Sequence, residues 1–343
     1  MRQRGNEPIS IVVGEGRVGV AMASATLLPW FSCTKAVTAV AIAQLWERAH
    51  LALDDPVARH VPEFAANGKA AITIRHVLTH AGGFRTLQPP TDAWRLEWDD
   101  LVARICASPI EDGWVVGESA GYHPVTGFQI LGEIIQRIDG RDFAAYVNEE
   151  IFEPLDMGDS WMQLSEERYA SYGDCMGVMY ETGPTVVPAA VRGMDSWRGF
   201  RRPSPSGGGV GPMGDLVKLF EMFLGGGMRE SERVLSAPTV EAMSVRHRAG
   251  RRDDTFGHVI DWGLGLMVNS WRYRSKPNSY GYGDSAGSRT FGHGGQESSL
   301  AFADPERGLA VALCCNGRPG EVANHLRTQP VITALYEELG LRA

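Results

Sequence analysis

From Trp30 to Leu51 the chain carries Ala, Val, Ile or Leu at almost every position as far as Gln44, with no polar stripe. Such a run predicts a helix from Ser32 to about Leu51 that is buried on all sides. Its entrance does not fit a core helix, because it reads Ser32-Cys33-Thr34-Lys35. A lysine on a helix about to be buried is costly unless its ammonium finds partners or loses its proton. Either a helix cap with a snorkelling lysine or a reaction centre would account for the pattern.

Other patterns place the neighbours of that helix. ISIVV (9–13) and RVGVAMASA (17–25) predict two strands joined by a turn at Gly14-Glu15-Gly16. From about 60 to 205, helical pieces (ITIRHVLTH, WDDLVARICAS, VTGFQILGEIIQRI, FAAYVNEEIF) alternate with Pro and Gly turns. RRPSPSGGGVGPMG (201–214) interrupts the chain, and DLVKLFEMFLGGG follows as an amphipathic helix with a glycine stop. WGLGLMVNSW, RTFGHGG and SSLAFADPERGLAVALCCNG then read as strands, with Asp304-Pro305-Glu306-Arg307-Gly308 as a hairpin turn, before a last helix at about 321–339. Strands near both ends with helices between predict one sheet fed from both chain ends and an inserted helical lobe.

Composition narrows the function classes. The 343 residues suffice for one large domain or two closely packed ones. A net charge of −8 disfavours nucleic acid and anionic membranes as partners. No run of 18 apolar residues predicts a membrane span, and the first residues lack the apolar stretch of a signal peptide. Cys33, Cys106, Cys175, Cys314 and Cys315 are odd in number and lack metal-type spacing. Free thiols in a reducing, cytoplasmic setting are the expectation, with no cofactor.

Two motifs lead nowhere. Gly14-Glu15-Gly16-Arg17-Val18-Gly19 matches the dinucleotide fingerprint GxGxxG, but a strand pattern follows it and no acidic residue occurs between Gly16 and Glu47. His76 and His80 stand at i and i+4 on a short helix, yet Val77 occupies the place of the glutamate a zinc protease needs, and no third ligand suggests itself. No metal is expected. Ser32-x-x-Lys35 suits nucleophilic catalysis better, since one helical turn sets the amine beside the hydroxyl and a neutral amine can take its proton. Tyr122 follows on a loop that opens the helix VTGFQILGEII, and Phe291-Gly292-His293-Gly294-Gly295 precedes a strand. Taken singly, the tyrosine reads as a core-edge aromatic and His293 as a loop histidine.

In this order the segments resemble the serine β-lactamase and penicillin-binding protein superfamily, in particular its class C-like esterase and acyltransferase branch. LTHAGG (78–83), PLDMGDS (154–160), GGGVGPMGDLVKLFEMFLGGG, WGLGL and FGHGG with FADPERGLAVA carry the likeness over nearly the whole chain. The resemblance implies an α+β, β-lactamase/transpeptidase-like fold. A mostly antiparallel sheet from residues 5–30 and about 250–343 is expected, within a discontinuous sheet domain (1–60 and 205–343) beside a mainly helical lobe (61–204). The N-terminus is short against the family's usual helix before its first strand, so part of the helical layer is expected to be absent or borrowed.

By the same resemblance, Ser32 is acylated and Lys35 and Tyr122 share the acid and base work, with Lys35 as the cation that lets Tyr122 ionise. His293, Gly294 and Gly295 stand where the family has Lys-Thr-Gly, and the N–H groups of Ser32 and Gln296 form the oxyanion hole. Pro124 replaces the asparagine of Tyr-x-Asn, and His293 replaces a lysine that helps hold a substrate carboxylate. Both changes argue against β-lactams and for a small ester, hydrolysed or passed to an alcohol or amine, natural-product transacylation included. Trp94, Trp98, Trp114, Trp161, Trp197 and Phe200 are candidates for the pocket wall or for core. The alternatives are a true β-lactamase or D-amino-acid peptidase, and a non-catalytic sensor or scaffold of the same fold.

Overall fold

The computed structural model describes residues 1–3, 6–183, 187–274 and 280–341. Its centre is a six-stranded sheet in the order β1 (Arg2–Gln3), β6 (Leu309–Cys314), β5 (Ser299–Asp304), β4 (Phe291–Gly295), β3 (Met267–Val268) and β2 (Asp261–Trp262). Every neighbouring pair in it is antiparallel. β5 and β6 read as almost unbroken apolar runs because both of their faces are covered. Ala301, Ala303 and Ala310 join the main core, while the alternating Phe302, Leu309 and Val311 pack under the C-terminal helix with Ile332 and Tyr336.

Helices fill the rest. α1 (Thr34–Glu47) runs through the main core with every residue from Thr34 to Leu45 buried. A long apolar helix without a polar face has no other stable place. α2 (Ile74–Leu78), α3 (Trp98–Ala107), α4 (Thr126–Asp139) and α5 (Phe143–Val147, continued by a π-type turn to Phe152) surround it. α6 (Met213–Leu224) lies across β5 and β6, and α7 (Glu321–Glu338) closes the opposite face.

The beginning of the chain departs from expectation. Residues 9–13 form no strand, and Ile11 and Val13 are 77% and 79% exposed. The hairpin comes one step later, with Glu15–Arg17 pairing Val20–Ala21 around Val18 and Gly19. Among the described residues of the first thirty only Arg2–Gln3 enters the main sheet, and Leu28–Pro29 pairs instead with Val210–Gly211. β1 pairs with Leu309 and Ala310 of β6, and Ile9 exchanges its backbone hydrogen bonds with Met1 instead. An apolar run becomes a strand only where a ladder is open to it.

Candidate active site

Ser32 does not begin α1. It sits in a 3-10 turn, Phe31–Cys33, that feeds the helix, and Phe31 before it has φ 47°. A phenylalanine in the left-handed region costs about 1–3 kcal/mol and persists only where its surroundings impose it. Here they do. The Trp30 N–H donates to Gly209 O (2.8 Å), the Gly209 N–H donates to Thr34 Oγ1 (3.0 Å), and Ser299 Oγ donates to Trp30 O (2.6 Å). The neighbouring Cys33 thiol donates to His293 O at 3.0 Å, and burial pushes its pKa up to about 12, so it stays protonated. A side chain at Gly295 would collide with Trp30 O and Ser299 Oγ, so β4 can press on the serine turn only as glycine.

Lys35 is fully buried, and among the described residues no carboxylate pairs with it. Its Nζ lies 2.8 Å from Pro124 O, 2.8 Å from Ser206 O and 3.2 Å from Ser32 Oγ. Burial drives its pKa well below the ordinary lysine value. A neutral amine has two N–H bonds and one lone pair. The two carbonyls take the N–H bonds, which leaves the lone pair for the Ser32 hydroxyl.

Tyr122 Oη donates to Ser32 Oγ from the other side, at 2.7 Å. Burial raises the phenol's pKa, and the Asp253 carboxylate adds to the rise. Burial disfavours both the lysine cation and the phenolate, which runs against the expectation that Lys35 as a cation lets Tyr122 ionise. The tyrosine backbone is gripped by one loop: its N–H donates to Asp253 Oδ1 (2.9 Å) and its C=O accepts from Thr255 Oγ1 (2.9 Å). Asp253 is itself held by Arg248 at 2.7 Å.

β4 completes the site. His293 is buried, and burial lowers its pKa to about 3, which keeps the imidazole neutral. Its Nδ1 lies 2.6 Å from Gly294 O, which assigns the N–H to Nδ1 and leaves Nε2 without a partner. It supplies no positive charge. Ser32, Tyr122, His293, Gly294, Gly295 and Gln296 all line one cavity of about 340 Å³.

Other expected residues lie elsewhere. Of the six named aromatics only Trp94 reaches the cavity. Trp98 packs against Phe143, Trp114 lies under Arg85, and Phe200 belongs to a separate small core. His76 and His80 do not share a helix face, because α2 ends at Leu78. His76 closes a capping box with Thr73, whereas His80 is buried against Tyr122, ring centroids 4.7 Å apart. Among the described residues no three His, Cys, Asp or Glu side chains come together as metal ligands. No helix among them is long and apolar enough to cross a membrane. Sequence reasoning missed the carbonyls of Pro124 and Ser206, the Asp253 loop and the α7 wall of the cavity. Carbonyls and loops carry no side-chain signal. The acidic pair in GRRDDTFG could at best have marked the loop.

The Beta-lactamase family model matches residues 4–334. Esterase EstB of Burkholderia gladioli is 26% identical over 340 residues, covering 89% of this chain and 81% of its own. Among solved structures, a penicillin-binding protein homologue from Caulobacter crescentus is 31% identical with a TM-score of 0.76, covering 93% of this chain and 85% of its own. EstCE1, described as a hydrolase with promiscuous acyltransferase activity, has a TM-score of 0.77 at 19% identity, covering 94% and 88%. Profile, relatives and fold agree with one another along the whole length, and the chain belongs to the serine β-lactamase and penicillin-binding protein superfamily, a superfamily of serine hydrolases.

Proposed function

We propose that this protein is an acyl-enzyme esterase with Ser32 as nucleophile, Lys35 as general base and Tyr122 as proton donor. The observation that carries the reading is the position of Ser32 Oγ between a lysine Nζ at 3.2 Å and a phenol Oη at 2.7 Å. The Lys35 lone pair takes the serine proton as the Oγ–carbon bond forms. Tyr122 gives its proton to the departing alkoxide as the ester C–O bond breaks, and the lysine ammonium returns a proton to the phenolate. Water, an alcohol or an amine reverses the sequence and carries the acyl group away. The N–H groups of Ser32 and Gln296 hold the oxyanion, where one donor is typically worth about 2.7–4 kcal/mol of barrier.

The substrate is a small, uncharged ester. His293 is neutral and Pro124 has no side-chain donor, so neither can hold the carboxylate or amide of a β-lactam. Transfer to an alcohol or amine rests on the same acyl-enzyme and draws support from the acyltransferase activity named for EstCE1. The test compares kcat/KM for p-nitrophenyl butyrate and nitrocefin, with intact-mass detection of a fluorophosphonate adduct that Ser32→Ala abolishes. Nitrocefin turned over as fast as the ester would return the protein to the β-lactamases. An unlabelled wild-type protein would make it a scaffold.

A further inference from the structure

The C-terminal helix is built inside out over its first half. One stripe of α7, at steps of four, four, three and four, holds Glu321, His325, Gln329, Ile332 and Tyr336. Ile332 and Tyr336 are buried against Phe302, Leu309 and Val311, as an inward stripe should be. Glu321, His325 and Gln329 line the active-site cavity instead, together with Thr328. The apolar residues of that half face water: Val322 and Leu326 are exposed, the latter by 64%. Helices place polar groups inward at a cost, and breaks in the binary pattern concentrate at functional sites.

Solvation does not satisfy this wall. Tyr280 Oη, His325 Nδ1 and Gln329 Oε1 are buried and lack a hydrogen-bond partner among the described residues. Tyr280 as a whole is nine-tenths buried. The three are adjacent, since the Tyr280 and His325 rings meet edge to face at 5.0 Å and Gln329 Nε2 donates to Gly281 O at 3.3 Å. With its amide nitrogen so used, Gln329, which lines the cavity, keeps a carbonyl oxygen without a partner among the described residues. Glu321 at the rim is also an acceptor.

The wall is joined to the reacting centre on the leaving-group side. Tyr122, which protonates the departing oxygen in the reading above, has its ring 4.9 Å from Phe256, whose ring is 5.1 Å from Tyr280. The path Tyr122, Phe256, Tyr280, His325 is continuous and borders the cavity throughout.

We infer that Tyr280, His325 and Gln329 form a subsite for the alcohol half of the substrate, and that this half carries O–H or N–H donors of its own, as in a polyol or amino alcohol. The inference rests on the esterase reading. An apolar alcohol would leave these buried polar atoms unpaired, the situation in which sites reject an analogue most strongly.

The test is a matched pair with one acyl group, glyceryl butyrate and propyl butyrate. Wild-type protein is expected to favour the glyceryl ester by about tenfold or more in kcat/KM, the worth of one to three hydrogen bonds. Tyr280→Phe, His325→Leu and Gln329→Leu are each expected to lower that ratio several-fold. In Ser32→Ala protein, glyceryl butyrate should raise the melting temperature more than propyl butyrate does, and Gln329→Leu should erase the difference. This second measurement reads binding alone and stands whether or not turnover is seen. Wild-type protein that is labelled by a fluorophosphonate and cleaves both esters, with a ratio near one or a ratio the substitutions leave in place, overturns the subsite and spares the esterase. Absence of labelling with no difference in melting temperature overturns both.

Discussion

Among the described residues two lysines, Lys35 and Lys69, are fully buried, and both meet backbone carbonyls. Lys69 Nζ donates to Ala66 O (3.0 Å), Cys106 O (2.9 Å) and Ser108 O. Three acceptors need three N–H bonds, so Lys69 is an ammonium even though burial lowers its pKa. Lys35 has two carbonyls and one hydroxyl, and its pKa falls well below the usual value. One oxygen of different kind, a hydroxyl that can give up a proton, separates Lys69 from the proposed base Lys35. The number of carbonyls around a buried amine therefore says more about its role than burial does.

The largest effect that would break this comparison is on Lys35. Lys35→Met should lower kcat/KM on p-nitrophenyl butyrate by about 10²–10⁴-fold. Its melting temperature should fall less than that of Lys69→Met, since two carbonyls rather than three lose their partner and a buried amine held below its usual pKa is removed. The folded pKa of Lys35 lies below the unfolded one, so it weakens the native state more as pH falls from the unfolded value of about 10.4 toward the folded value. The change in Tm from Lys35→Met should accordingly be more favourable at pH 6 than at pH 9. A large Tm loss with surviving activity would make Lys35 a structural staple instead of a base.

Next in size, Tyr122→Phe should reduce turnover by about 10²-fold or more through loss of the proton donor. Near-wild-type rates with an ester whose leaving group is a poor one would remove the phenol from the proton path.

Lys69→Met should act on stability instead, by about 3 kcal/mol or more, because it orphans three buried carbonyls. Urea unfolding measures it, and kcat per folded molecule should stay within about twofold of wild type. Retained stability would mean that water or a rearranged loop replaces the ammonium.

The pH profile sharpens the contrast by a smaller margin. The proposed base role needs a neutral Lys35, so kcat/KM should rise with pH through the lysine's lowered pKa and then stay level. Tyr122 is held protonated above its usual value and His293, lowered to about 3, is already neutral, so neither adds a limb between pH 6 and about 10. A falling alkaline limb near pH 8 would assign an ionising group that this site does not contain. The smallest effect expected is none at all. Overnight chelation should leave kcat unchanged, since His76 caps a helix and His80 packs on Tyr122.

Much of the architecture was legible in local pattern. The all-apolar stretch behind Ser32 could only be a core helix. The runs in SSLAFADPERGLAVALCC mark two strands covered on both faces. Residues 9–13 have the same apolar character and form no strand, because apolar character alone supplies no ladder partner and Ile9 bonds only Met1. SxxK was legible because one helical turn enforces the proximity of its two ends. Tyr122 and His293 entered only through a resemblance, as nothing within their own segments brings them to Ser32.

The sequence by itself determined which groups are available: a hydroxyl and an amine one turn apart, a phenol before a helix, a glycine-rich strand with no lysine in it. Those are properties of side-chain chemistry and helical period. The tertiary structure alone decided their protonation and their neighbours. Two carbonyls from residues 124 and 206 leave Lys35 a free lone pair, burial keeps Tyr122 protonated, and α7 turns its polar stripe to the cavity. Backbone carbonyls are the same at every position of a chain, so what they do depends on where the fold carries them.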